Sequence, residues 1–192
     1  MSRSVLAAVS IVVLAAWIRV GGPRLETAAM ARPQDRPPKS LTLVAFKEER
    51  RLEVWGDGRL LTCRPILAAS GKSGPKRREG DGQVPEGIYL LTTLNPRSRF
   101  HLSIRVDYPN DEDRLHGCTG TDIYVHGGAA SIGCIAIGNE AIEELFRLAA
   151  QVADRRILIL PWDLTAKPPP SVDEPWLADR YARLKEELAR LK

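Results

Sequence analysis

Two residues able to do thiol chemistry stand eight positions apart in the stretch IYVHGGAASIGCIAIG, Ile123 to Gly138: His126 and Cys134. A thiol attacks a carbonyl carbon as the thiolate, and an imidazole within reach is the usual device that makes one near neutral pH. Five of the seven residues between them are glycine or alanine. Such residues let the backbone turn tightly, so that amide N–H groups can aim at a developing oxyanion. Ser131-Ile132-Gly133-Cys134 then sets the nucleophile where a turn meets the apolar run Ile135-Ala136-Ile137. The pattern predicts a cysteine acyl-transfer site. Cys134 is the nucleophile, His126 its base, and the N–H groups of Gly133 and Cys134 the candidate oxyanion donors. Taken alone, the pair more often means a small buried thiol and a satisfied core or surface histidine; the rest of the chain is what favours a site.

The rest of the chain bounds the answer. Its 192 residues, 44% of them hydrophobic, suffice for one domain with flanking segments. The formal charge of +4 is spread along the sequence, with one short cluster at Lys76-Arg77-Arg78. No basic stripe is interleaved with aromatics, so nucleic acid is not an expected partner. The cluster reads as a solvated loop or a docking point for an acidic polymer. Arg3 precedes fourteen uncharged residues, Val5 to Ile18, closed by Arg19. That run is short for a membrane span and matches a secretory apolar region. Ala29-Met30-Ala31 supplies a small-residue cleavage site. Residues 1–31 are therefore expected to be a signal peptide or an N-terminal signal anchor, with membrane contact through residues 5–18 only. The destination is the periplasm or cell envelope. Residues 32–40 read as a Pro-rich linker, 41–166 as the catalytic domain, and 167–192 as a Pro-rich hinge and terminal helix.

Export makes the cysteine count informative. Cys63, Cys118 and Cys134 are an odd number, so an oxidising compartment leaves at least one thiol free or paired with another molecule. Cys134 is assigned as the free one. Cys63, in the strand-like run RLLTCRPILAAS, reads as structural packing. Cys118, in the charged stretch DEDRLHGCTG, superficially repeats a His-Gly-Cys string but has no apolar strand to deliver it. A Cys63–Cys118 bridge is compatible with the sequence.

Alternating and continuous apolar runs predict a mainly β, α+β domain. Strands are expected at 41–46, 51–55, 59–70, 87–94, 100–106, 122–126, 134–137 and 155–162, with a mobile loop over 71–82. One helix is expected over about 139–153, capped by Asn139, with Ile142, Leu145, Phe146 and Ala149 as its buried stripe. Leu177, Tyr181, Leu184, Leu188 and Leu191 mark a C-terminal amphipathic helix that packs on its own domain.

The segment Gly71 to Asn110, followed by Ile123 to Gly138, resembles the L,D-transpeptidase (YkuD-type) catalytic domain, and within it the YafK-like branch. The resemblance rests on GDGQVPEG before a strand, FHLS at 100–103, DYPN at 107–110, the HGG turn ending at Gly128, and SIGC. It spans about residues 40–162. The broader family's Ser-His-Gly-Cys-x-Arg pattern is altered here: Ile132 stands in the position of that His and Ala136 in that of the Arg, and the gap from His126 to Cys134 is shorter. The YafK-like branch shares these departures.

The resemblance implies an L,D-transpeptidase-like β-sandwich or barrel with one helix after the catalytic Cys. It implies that the Gly127 carbonyl orients His126, and that the substrate is a peptidoglycan stem peptide cut after its third, diaminopimelate-type residue. A wall-linked protein is a further partner class. No metal or cofactor is required by a thiolate mechanism. Secondary candidates for substrate binding are His101, Tyr108, Asn110, Ser131 and Arg105. His101 also fits a solvent-facing strand, Tyr108 and Asn110 a simple turn at Pro109, and Arg105 and Arg99 a solvated strand face. Two other classes stand beside the enzyme: a zinc site built from His116, Cys118, His126 and Cys134, and a non-catalytic peptidoglycan-binding module. If water takes the acyl group, the enzyme is a carboxypeptidase or amidase.

Overall fold

The computed structural model of the protein describes residues 36–69 and 74–192. The expected signal segment, the start of the linker and residues 70–73 lie outside that range. Among the described residues, no helix is long and apolar enough to cross a membrane.

The described residues form nine strands and three helices in the order β1 (Ser40–Phe46), β2 (Arg51–Gly56), β3 (Arg59–Pro65), β4 (Ala68–Ala69), β5 (Gly87–Ser98), β6 (His101–Val106), α1 (Asp111–Leu115), β7 (Tyr124–His126), β8 (Ile135–Ala136), α2 (Asn139–Ala149), β9 (Asp154–Leu160) and α3 (Pro175–Leu191). All the strands join one sheet, in the order β3-β2-β1-β9-β5-β6-β7-β8-β4. β1 runs parallel to β9 and β7 parallel to β8; the remaining neighbours are antiparallel. The first half of β5 pairs with β9 and the second half with β6, with register shifts after Leu91 and Asn95. Irregularities of this kind bend a strand and increase its twist.

The single strand expected over 59–70 is two strands at opposite edges of the sheet. Pro65 ends β3, and Ala68 already pairs with Ala136 on β8. Three residues reach at most about 10–11 Å. The two edges therefore lie close together, and the sheet curls into a half-barrel. This is the mainly β, α+β class read from the sequence, realised as one curved sheet rather than two stacked ones.

The curl leaves two apolar layers. Inside, Leu41, Leu43, Ile104, Val125, Ile135, Ile157 and Ile159 pack against Ile142, Leu145 and Ala149 of α2. Outside, Val44, Phe46, Leu158 and Leu160 meet Leu177, Tyr181, Leu184 and Leu188 of α3. β1 and β9 are covered on both faces, which is why LTLVAF and ILIL are continuous apolar runs. α3 is also tied by charge: Arg180 pairs with buried Asp113 at 2.8 Å and donates to the Glu86 carbonyl at 3.0 Å.

Several expectations are corrected. The charged stretch after Asn110 is the short helix α1, started by a reciprocal capping box between Asn110 and Asp113. Cys118 belongs to the inner core and is 5% exposed. Cys63 is exposed on the edge strand β3, so it is not core packing, and all three cysteines are free thiols. Lys76 is not a solvated charge. It is 6% exposed, and its ammonium donates to Asp81 Oδ1 at 2.7 Å and the Arg78 carbonyl at 2.8 Å. α2 ends at Ala149, one turn early. Its N-cap is Gly138, which has no side chain to cap with, and the Asn139 side chain accepts from the Gly128 N–H instead.

Candidate active site

The site lies where β6, β7 and β8 run side by side. Register fixes which residues share a face. Ser103 is opposite His126, Arg105 opposite Tyr124, and His126 opposite Ala136. Ile104, Val125, Ile135 and Ile137 alternate with these and fill the inner core. Extending the β7–β8 register by one residue sets Cys134 beside Tyr124, on the same face as His126. A strand spacing near 4.8 Å and a two-residue offset of about 6.6 Å separate their backbones by roughly 8 Å. A histidine and a cysteine side chain reaching toward each other can span that gap.

His126 is 2% exposed. Its Nδ1 lies 2.6 Å from the Gly127 carbonyl oxygen. A carbonyl only accepts, so Nδ1 carries the proton and Nε2 presents its lone pair. The Phe100 ring covers the imidazole, with centroids 4.6 Å apart. Gly127 is required for space. A Cβ there would sit 2.6 Å from the Phe100 carbonyl oxygen and 2.8 Å from Asn139 Oδ1.

Cys134 is half-buried, and its thiol donates to the Asp122 carbonyl at 3.4 Å. Its own N–H donates to Ser131 Oγ at 3.0 Å, so this expected oxyanion donor is already engaged by the Ser131 hydroxyl. Gly133 has φ of +85°, and a Cβ on it would stand 3.3 Å from the Gln83 carbonyl of the loop that precedes β5. A Cβ on Gly82 of the same loop would stand 3.9 Å from the side chain of Ile132, which is 87% exposed.

Burial shifts both titrating groups toward neutrality. It pushes the Cys134 thiol above its ordinary value; the Asp122 carboxylate adds to this, while the Tyr124 backbone, Lys76 and Ser131 oppose it. Burial also holds the His126 imidazole below its ordinary value, against the Gly127 carbonyl. The resting pair is a neutral thiol and a neutral imidazole. With a lowered folded-state value, the His126 contribution to stability is present above about pH 6.5 and is lost as pH falls through the folded value. With a raised one, the Cys134 contribution is present below about pH 8.5 and is lost as pH rises. Iodoacetamide should therefore label Cys134 more slowly at pH 7 than it labels exposed Cys63. The gap should narrow above pH 9; mapping the labelled peptides over pH 6–10 checks this.

The secondary candidates divide. Arg105 lies beside Tyr124; its guanidinium donates to Thr121 Oγ1 at 3.1 Å and stands 3.9 Å from Asp122 Oδ1. Arg99 stacks over Phe100. His101 has its Nε2 2.6 Å from Glu143 Oε1 of α2. Tyr108 and Asn110 have structural work instead of the groove role expected of them. Tyr108 is core, with its hydroxyl 3.3 Å from the Lys76 and Thr119 carbonyls. Asn110 caps α1 and donates to the Ile88 carbonyl at 3.2 Å. The four residues weighed as zinc ligands do not converge. His116 stacks on Trp176 at 4.1 Å, Cys118 is in the core, and no metal-holding group of three is found among the described residues. Asn139 and Phe100 were not read as site residues. Nothing in a lone Asn at a helix start says that its side chain turns back to a loop eleven residues earlier.

The chain belongs to the L,D-transpeptidase catalytic domain family: the YkuD family model matches residues 40–159. It is similar to YafK of Escherichia coli (strain K12), with 42% identity over 108 residues. That match takes in 53% of this chain and 44% of YafK, so the chain spans less than half the length of the curated relative it matches. Among solved structures it is similar to the helical cell shape determining protein Pgp2 from Campylobacter jejuni, with a TM-score of 0.57 at 25% identity over 64% of this chain and 48% of that one. Bd1075 of Bdellovibrio bacteriovorus has the same fold, with a TM-score of 0.50 at 22% identity over 82% of this chain and 57% of its own.

Proposed function

We propose that this protein is a cell-envelope cysteine acyl transferase that acts on peptidoglycan stem peptides. The observation that carries this reading is the buried His126 with Nδ1 bonded to the Gly127 carbonyl, which leaves Nε2 as a base on the sheet face that bears Cys134. Rotation about the Cys134 Cα–Cβ bond takes the thiol from Asp122 toward that nitrogen. His126 removes the proton, and the sulfur attacks the carbonyl carbon after the third stem residue. The negative charge that develops on oxygen is met by the N–H groups of Gly133 and Cys134, the Ser131 hydroxyl giving way to it. The C–N bond breaks, the amine leaves with the proton from His126, and a thioester remains on Cys134. An incoming amine resolves it in transpeptidation. Water in the same place makes the protein a carboxypeptidase or amidase.

Arg105, beside Tyr124 on the same face, is suited to a substrate carboxylate. A role in cell shape, as the name of Pgp2 states for that protein, fits an enzyme working on the wall. Incubation with purified muropeptides, with the products read by mass spectrometry, tests the reading. Tetrapeptide stems shortened to three residues, alone or joined to an added amine, are expected. Unchanged muropeptides across a range of stem lengths and acceptors would contradict it.

A further inference from the structure

We infer that Asn139 and Glu143, one turn apart on α2, form a two-point clamp that fixes His126 in its Nδ1-protonated tautomer. This rests on the reading of His126 as the base. The first point is Asn139, whose Oδ1 accepts from the Gly128 N–H at 2.8 Å; the Gly138 N–H donates to the Gly128 carbonyl at 3.0 Å. The start of α2 thus holds both polar groups of Gly128, the residue after the one whose carbonyl orients the imidazole. The second point is Glu143, whose carboxylate lies 2.6 Å from His101 Nε2. His101 sits at the β5–β6 hairpin tip with φ of +75°, in the left-handed region that a non-glycine residue occupies only when its surroundings hold it there. The residue before it, Phe100, covers the His126 ring.

The two points converge on Gly127. The atoms that crowd the place of its missing Cβ are the Phe100 carbonyl oxygen from the hairpin tip and Oδ1 of Asn139 from α2. Residues four apart on a helix project to the same side, so one helix face grips both loops around the imidazole. Preorganisation of this kind decides whether a catalytic group is held within tolerance. Asn139, Glu143 and His101 are accordingly positioning residues, and His101 acts through Phe100 rather than on substrate.

The test combines the ring-nitrogen NMR shifts of His126 with muropeptide turnover, in wild type, Asn139→Ala, Asn139→Asp and Glu143→Ala. Glu143 is exposed, so its variant folds whatever Asn139→Ala does. The clamp predicts a single Nδ1–H tautomer in wild type and a mixture in Asn139→Ala and Glu143→Ala. It also predicts that Asn139→Asp, which keeps the acceptor, restores the single form. Turnover should fall about 10-fold or more in kcat with KM unchanged for the two alanine variants. An unchanged tautomer in both alanine variants overturns the clamp. So does a rise in KM alone for Glu143→Ala, which would return His101 to substrate contact. Should the tautomer shift as predicted while no variant, wild type included, turns over muropeptide, the clamp stands and the reaction assigned above fails.

Discussion

Replacing His126 with Asn is expected to slow acylation of Cys134 by about 10²–10⁴-fold, the usual worth of a positioned general base. The size of the loss follows from the resting state. Burial outweighs the opposing charge of Lys76 and keeps the thiol protonated, and its hydrogen bond goes to a backbone carbonyl. Without a base, the reactive thiolate is a minor species at neutral pH. An Asn side chain can occupy the cavity under Phe100 and donate to the Gly127 carbonyl, so the fold should survive while the lone pair is lost. Time-resolved intact-mass measurement of the acyl-enzyme reads the change directly. A His126→Asn protein acylated at the wild-type rate would remove His126 from the mechanism.

Gly127→Ala should also be severe, for a steric reason. The added Cβ would lie 2.6 Å from a backbone carbonyl that cannot swing aside, because the same hairpin takes the Gly127 N–H on the Leu102 carbonyl at 3.1 Å. The turn must move, and with it the acceptor that sets the His126 tautomer. A displacement near 1 Å at such a site can cost about 10²-fold in rate, with a loss of about 1–3 kcal/mol in stability from overpacking. Gly128→Ala is the contrasting control. Nothing lies within 4 Å of its Cβ position, and its φ of +73° makes the penalty conformational, about 1–2 kcal/mol. Thermal unfolding and acylation rates on the two variants should therefore separate: similar destabilisation, but a much larger rate loss at Gly127. Equal rate losses would contradict the steric account.

Much of this was legible in the sequence because short-range patterns carried it. Continuous apolar runs marked β1 and β9, which are covered on both faces, and a three-to-four-residue spacing marked the stripe of α3. Small residues around His126 and Cys134 gave the turn, and the family motifs gave the fold. What the sequence did not reveal depends on chain reversal over long distances. The run 59–70 looks like one strand, yet Pro65 divides it between the two edges of a sheet whose curl no local window encodes. Asn139 looked like a helix cap because Asn often is one; its use by Gly128 appears only when α2 is laid against β7. Cys63 and Cys118 exchange their expected environments because exposure at a sheet edge follows from strand order, which periodicity does not set. The N-x-x-D spacing of Asn110 and Asp113 was a readable capping signal, hidden by the charge around it.

The most direct test of the central claim is intact-protein mass spectrometry after incubation with purified muropeptides, comparing wild type with Cys134→Ala and Cys118→Ala. An acyl adduct on wild type and Cys118→Ala, absent from Cys134→Ala, is the predicted result. An adduct that persists in Cys134→Ala, or none on any of the three, would contradict Cys134 as the nucleophile.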